Sequence, residues 1–508
     1  MKRLSLYYFL FLVSLSCYGQ NLDSLDQYIS KAVIDWNVPG LAVSIVKDGK
    51  VVLSKGYGVK EMGKTEKVDQ NTLFAIASNT KAFIATSLGI LVEQKKLNWD
   101  DPVQKFLPYF ALYDPYVSAN TTVKDLLCHR VGLGTFSGDV IWYKSNFSPE
   151  EVLKRAKYLP QAYPFRAGYG YTNLMFLAAG EVIQKVSGKS WFDFIKENIG
   201  NPIGMKRTVY STNDLTKMGN YATPHKSIYS QLKPIPWTNW DNMGAAGGIL
   251  SSADDMAKWM QLNLAGGTLG TKTVIHPSIY DELWSLQNSN KITVAERERA
   301  PSTNFNGYGL GWVLQDLGGH LIVSHSGGYD GMYSQVMMIP SQKLGVTILS
   351  NSMTGISSAL SRHIIERYLK LPYKDRSKSG LENELSYQKS RKVIIDKKKE
   401  AQIKGTKPSE LSFLLGKYFD PMYGEVIIKS TDGKNLQMLF PHAPALRATL
   451  KHFHYDTYEI VWNEEHAWYD YGTVQFVFDN EHKSVTSIQF DVPNEDIFFE
   501  EIKAKKID

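Results

Sequence analysis

Leu73-Phe74-Ala75-Ile76-Ala77-Ser78-Asn79-Thr80-Lys81 is the stretch that decides the fold. An apolar run ends in a serine, and a lysine follows three positions later. Ala82 to Val92 then reads as an apolar helix. Residues at i and i+3 share a helix face, so Lys81 can reach the Ser78 oxygen. A serine at a helix N-terminus also sits where the macrodipole favours developing negative charge. A serine hydroxyl is a weak nucleophile until a base stands beside it, and this spacing supplies one.

Ser-x-x-Lys recurs at Ser44–Lys47, Ser230–Lys233 and Ser386–Lys389, but only the Ser78 copy opens an apolar helix. Two further motifs single it out. Tyr171-Thr172-Asn173 is the one Tyr-x-Asn among 29 tyrosines, and His325-Ser326-Gly327 is the one His-x-Gly among 11 histidines. In this order and at this wide spacing, the chain resembles the serine β-lactamase-like family, on its class C β-lactamase, penicillin-binding protein, D-aminopeptidase and esterase side. Thr122 to Leu127 with His129 and Gly132, and Gly247 to Asp255, resemble recurring scaffold stretches of that family.

The residues give the following chemistry. Ser78 is the candidate nucleophile. Lys81 is the candidate base if burial depresses its pKa. Tyr171 is a second base that later passes a proton to the leaving group or activates water. Asn173 can hold both Lys81 and a substrate carbonyl. The resemblance implies an oxyanion hole from the backbone N–H groups of Ser78 and Gly328; losing one such donor costs on the order of 100- to 1,000-fold in rate. Gly327 and Gly328 suit a strand that substrate backbone approaches closely.

His325 stands where most β-lactamases carry lysine. Histidine is mostly uncharged at neutral pH, which weakens attraction for a penicillin carboxylate. The expectation is therefore an exported serine hydrolase acting through a Ser78 acyl-enzyme on a small ester, amide or D-amino-acid peptide. An acyltransferase using the same intermediate, a β-lactamase, and a non-catalytic penicillin or wall-fragment sensor are the alternatives. No cofactor is implied.

At 508 residues the chain exceeds one ordinary domain, and its charge of +6 is small for that length. Basic residues are scattered, without a nucleic-acid footprint. Lys2 and Arg3 precede the apolar run Leu4–Leu15, so residues 1–19 read as a secretory signal. Lipid attachment at Cys17 is the second choice, and no later apolar run has membrane length. With Cys17 removed, Cys128 stands alone; beside His129 it invites a nucleophile reading, against which buried cysteine usually acts as a small hydrophobe.

Residues 20–373 are expected to form one α/β domain. Its antiparallel sheet draws on both ends, from the Asp48-Gly49 hairpin and from strands near His320–His325, Gln335–Ile339 and Val346–Leu349. Helices near Asn173–Val186 and Ala253–Leu262 lie between them, and the resemblance adds a helical subdomain. Residues 374–410, at net +5, read as a charged linker, helical around Gln388–Gln402. Residues 411–508, at net −7, alternate polar and apolar positions between Asp-Gly and Asp-Asn turns. They predict a small antiparallel barrel or sandwich, lipocalin-like by resemblance, that attracts the linker. His442, His452, His454 and His466 have no carboxylate or cysteine at ligand spacing, so no metal is expected. Trp142, Tyr143, Trp237, Trp240 and Tyr329 lie in loops, and no periodicity assigns them to a pocket. The oligomeric state stays open.

Overall fold

The computed structural model describes residues 22–227, 231–299, 302–481 and 483–507. The expected export segment, with Cys17, and Ser230 lie outside them.

Asp48 and Gly49 both take positive φ, 50° and 76°, as a two-residue hairpin turn requires. They join β1 (Gly40–Lys47) to β2 (Lys50–Gly58). The sheet is completed from much later sequence by β3 (Asn288–Ser289), β4 (Asn306–Tyr308), β5 (Val313–Leu317), β6 (His320–Tyr329), β7 (Met332–Ile339) and β8 (Leu344–Ser350). Its order is β2-β1-β8-β7-β6-β5-β4-β3, all antiparallel. The pairing of β1 with β8, from Leu41 opposite Ser350 to Lys47 opposite Leu344, joins the two ends of the α/β domain as the sequence predicts.

Both faces of the sheet are covered. Alternate residues of a strand point to opposite sides. Leu41, Val43 and Ile45 of β1, with Val346 and Ile348 of β8, meet a helix over residues 22–35 (α1) and α5 (Ile356–Tyr368). Ala42, Val46 and Leu349 belong to the cluster on the other side. There α2 (Thr80–Glu93), α3 (Asn173–Ser187) and α4 (Ala253–Leu264) make the second layer. Phe83 of α2 stacks on Trp259 of α4 at 4.0 Å.

The stretch expected to be a linker is a 25-residue helix, α6 (Arg376–Glu400), starting twelve residues before the expected helical portion. Its polar circumference gives it no apolar stripe to bury. Anchors at its start hold it: Asp375 accepts from Tyr28, Ser377 accepts from the Trp36 indole at 3.0 Å, and Arg376 pairs with Glu366 at 2.6 Å. Farther along, Arg391 reaches Glu495 and Lys398 pairs with Asp491, which is the attraction between linker and tail that their charges suggest.

The tail is a closed eight-stranded antiparallel barrel: β9 (Gly416–Asp420), β10 (Gly424–Ser430), β11 (Leu436–Leu439), β12 (Arg447–His454), β13 (Thr457–Trp462), β14 (Thr473–Phe478), β15 (Val485–Asp491) and β16 (Lys505–Lys506). Strand β16 closes it by pairing with both β9 and β15. The four histidines go separate ways. His442 faces Asn146, and a bulge separates His452 from His454. His466 is buried, with neither ring nitrogen hydrogen-bonded.

The barrel is docked on the α/β domain by buried polar contacts. Lys226, 1% exposed, pairs with Asp470 and Glu465 of the barrel. The Glu501 carboxylate accepts from the Ser137 hydroxyl at 2.6 Å and from the Gly138 N–H at 2.8 Å. Replacing Lys226 by Ala strands Asp470, while Glu465 keeps Lys233, and is expected to cost about 1–3 kcal/mol in denaturant unfolding. A wild-type unfolding midpoint would exclude that pair as a fastener of the barrel.

Candidate active site

Ser78 lies in a single 3-10 turn, Ala77–Asn79, that runs directly into α2. The serine therefore precedes the α-helix proper, yet the i, i+3 relation holds: Lys81 Nζ donates to Ser78 Oγ at 2.9 Å. The turn enters with Ala77 at φ 46°, a left-handed conformation that costs a non-glycine residue energy unless its surroundings hold it. They do. The Ile76 N–H bonds the Ile249 carbonyl at 3.0 Å, and Asn79 donates to the Ser334 hydroxyl of β7 at 2.8 Å. Gly327 of β6 closes the packing: a Cβ there would sit 2.3 Å from the Ile76 oxygen and 2.9 Å from the Ala77 Cβ. That glycine faces the serine's own turn, which is a different reason for it than the close substrate approach expected from sequence.

Lys81 is fully buried. Its amine donates to Ser78, to Asn173 Oδ1 at 2.8 Å and to the Ala246 carbonyl at 2.8 Å, which uses all three of its donor positions. Ala246 immediately precedes the Gly247–Asp255 stretch read as scaffold, so that region supplies a direct contact as well. Burial lowers the lysine pKa to about 7, against the charge of Asp139, which raises it.

Asp139 is the residue that sequence reasoning missed. It is buried, accepts from Asn173 Nδ2 at 2.6 Å and from the Trp142 indole at 2.9 Å, and stands one link behind Lys81. Burial raises its pKa to about 8, with those two hydrogen bonds and the Lys81 charge acting the other way. Low-dielectric surroundings thus push both members of the pair toward their neutral forms.

Tyr171 packs with its ring 4.8 Å from Lys81 Nζ. Burial holds its phenol well above the usual range, while a hydrogen bond with Ser78 pulls it down. Of the two sequence-predicted bases, Lys81 therefore has the freer lone pair near neutrality. The tyrosine remains a phenol able to relay a proton. His129 packs against Tyr171, ring centres 4.2 Å apart, and accepts from the Thr172 N–H at 3.1 Å, fixing that turn. Its neighbour Cys128 is buried, and burial raises its thiol to about 12, which removes the thiolate nucleophile reading.

His325 is 3% exposed, with both ring nitrogens engaged. Nδ1 donates to the Ser326 carbonyl at 2.6 Å and Nε2 accepts from the Tyr308 hydroxyl at 2.7 Å. Burial first, and then the Lys81 charge, lower its pKa to about 3. The imidazole is neutral throughout the physiological range and has no N–H left to offer a substrate carboxylate.

These groups surround a cavity of about 350 Å³, within the range of small-molecule sites. Strand β5 pairs only with His320–Ser324, so the outer edge of β6 from His325 onward lines this cavity. Ser78 and Gly328 both face it, as a pair of oxyanion donors must. Trp142 and Trp240 line it too, so two of the unassigned loop aromatics belong to the site. The barrel adds Trp468, Asp496 and Ile497 to the wall. The Trp468 ring reaches within 3.2 Å of where a Cβ on Gly328 would lie.

A family model described as Beta-lactamase matches residues 25–368. The chain belongs to that family. Residues 400–506, which include the barrel, match a model described as a domain of unknown function, DUF3471. Among curated proteins, this β-lactamase-family chain is 31% identical over 369 residues to the unguisins hydrolase of Aspergillus campestris. That match covers 69% of this chain and 66% of the relative. Protein flp of Staphylococcus aureus is 28% identical over 350 residues, 67% of this chain and 65% of that one. The chain thus spans slightly less than two thirds of these relatives' own length. Among solved structures, the octameric penicillin-binding protein homologue from Pyrococcus abyssi superposes with a TM-score of 0.61 at 22% identity, covering 96% of this chain and all of that one. The D-amino acid amidase from Ochrobactrum anthropi gives 0.54 at 22% identity, over 71% of this chain and 99% of that one. Both establish the shared fold.

The electrostatics give a pH expectation. Only the free amine of Lys81 can take the Ser78 proton, so acylation should rise with pH through an apparent pKa near 7. Burial holds Asp139 largely protonated below about pH 8, so it sets little charge beside the amine there; Asp139→Asn should leave that acid limb near pH 7, whatever happens to the maximal rate. Rates of Ser78 modification between pH 5 and 9 read both effects. A limb that moves to lower pH in Asp139→Asn would show instead that Asp139 carries its charge beside the amine.

Proposed function

We propose that this protein is an exported serine hydrolase working through a Ser78 acyl-enzyme on a small ester, amide or D-amino-acid peptide. The observation that carries the reading is the buried amine of Lys81 at 2.9 Å from Ser78 Oγ, held by Asn173 and Ala246. In the first half-reaction Ser78 Oγ attacks the substrate carbonyl carbon and its proton passes to Lys81. The carbonyl oxygen gains charge between the N–H groups of Ser78 and Gly328. The alcohol or amine departs with a proton returned through Lys81 and Tyr171. Water repeats the attack on the ester and releases the acid, regenerating the Ser78 hydroxyl.

The preference for neutral carbonyl substrates over penicillins is supported by His325, whose two nitrogens are occupied within the protein. Similarity to an unguisins hydrolase and to the fold of a D-amino acid amidase agrees with amide-bond cleavage. Export rests on the basic and apolar opening, Lys2 to Leu15.

The test is intact-mass analysis of residues 20–508 treated with a fluorophosphonate. One adduct is expected on the wild type and none on Ser78→Ala. Folded wild-type protein that takes no adduct would sink the serine-hydrolase reading. With labelling in hand, a panel of esters, D-amino-acid amides and penicillins reports the substrate class, with penicillins expected to turn over most slowly.

A further inference from the structure

The segment between β15 and β16 does more than close the barrel. Surface turns are ordinarily self-contained, whereas here Asn494 builds a loop aimed at the α/β domain. The Asn494 side chain accepts from the N–H groups of Asp496 at 3.1 Å and Ile497 at 2.6 Å, and donates to the carbonyls of Val492 and Ile497, both at 2.8 Å. Four hydrogen bonds from one side chain fix the loop's shape. Glu495 turns away from the cavity, toward Arg391 of α6. Asp496 and Ile497 turn into it, on the wall that faces Ser78.

The Asp496 carboxylate is the odd group of that wall. Among the described residues it has no hydrogen-bond or ion-pair partner, although it is half-buried. The other carboxylate lining the cavity, Asp139, is occupied by Asn173 and Trp142. Burial, and then the neighbouring Glu495 charge, raise the Asp496 pKa, a penalty that a bound cation would relieve. The surrounding wall is aromatic, with Phe136, Trp142, Trp240 and Trp468. A carboxylate among aromatic faces is a setting that favours an ammonium group.

We propose that Asp496 is a specificity residue which receives a protonated primary amine of the substrate, so that the site takes amino-acid derivatives with a free amine in preference to N-acylated ones. This rests on the reading of Ser78 as an acylated nucleophile and narrows its substrate class. The barrel then selects the substrate whose carbonyl the α/β domain attacks.

The test is competition against fluorophosphonate labelling of Ser78, which needs no turnover. The competitors are D-phenylalanine amide and N-acetyl-D-phenylalanine amide, on wild type, Asp496→Asn and Asp496→Glu. In the wild type the free amine is expected to half-protect at a concentration at least about 10-fold lower than the acetylated compound. That preference should collapse in Asp496→Asn and return in Asp496→Glu, each variant's protection being scored against its own uninhibited labelling rate. Equal protection by the two compounds, no protection by the amine, or a preference that survives Asp496→Asn would each overturn the proposal. If wild-type Ser78 takes no label at all, the hydrolase reading itself fails, and this inference with it; labelling with no amine preference overturns the inference alone.

Discussion

Burying one lysine amine is the constraint on which the rest of the site depends. An ammonium taken out of water without partners is too costly to keep, so the amine must be hydrogen-bonded, neutral or both. Here its acceptors come from three distant parts of the chain: Ser78 before α2, Asn173 at the start of α3 and the Ala246 carbonyl. The site is therefore assembled only when the helical layer has closed. The same burial that demands three acceptors lowers the amine's pKa into the range where it can take a proton.

The chain of support extends into the barrel. Glu501 holds the Ser137–Gly138 turn, which leads into Asp139; Asp139 holds Asn173, and Asn173 holds Lys81. Trp468 packs near Gly328 from the same side. The buried Lys226 with Asp470 fixes the two parts against each other. A barrel attached through α6 alone could not supply such contacts at reproducible positions.

Much of this was legible in sequence where the signal is local. The Asp48-Gly49 turn, the period-2 strands of the barrel and the i, i+3 step from Ser78 to Lys81 each carry their geometry within a few residues. Asp139 did not announce itself, because Asn173 and Lys81 lie far away in sequence and its own segment has no periodicity. Trp468 and Asp496 belong to the tail and carry no signal of their own in sequence; only docking of the barrel gives them a role. The early start of α6 was hidden because Ser377, Ser379 and Gly380 are weak helix formers, and distant Tyr28, Trp36 and Glu366 hold that first turn. Gly327 was singled out for substrate approach, whereas its missing side chain makes room for the turn carrying Ser78.

The site's charge follows from this division. Burial drives Lys81 toward a neutral amine, keeps Tyr171 a phenol and His325 a neutral imidazole, and favours a protonated Asp139. The three motifs thus build a nearly uncharged reaction centre, suited to moving protons and attacking a carbonyl but poor at sorting ligands by charge. Sorting by charge falls to whatever stands opposite. In this chain that wall belongs to the barrel, and the carboxylate it presents is Asp496. Relatives that share the motifs but differ in the segment facing Ser78 would run the same acyl chemistry on differently charged substrates, which is why a motif match alone identifies the reaction and leaves the substrate open.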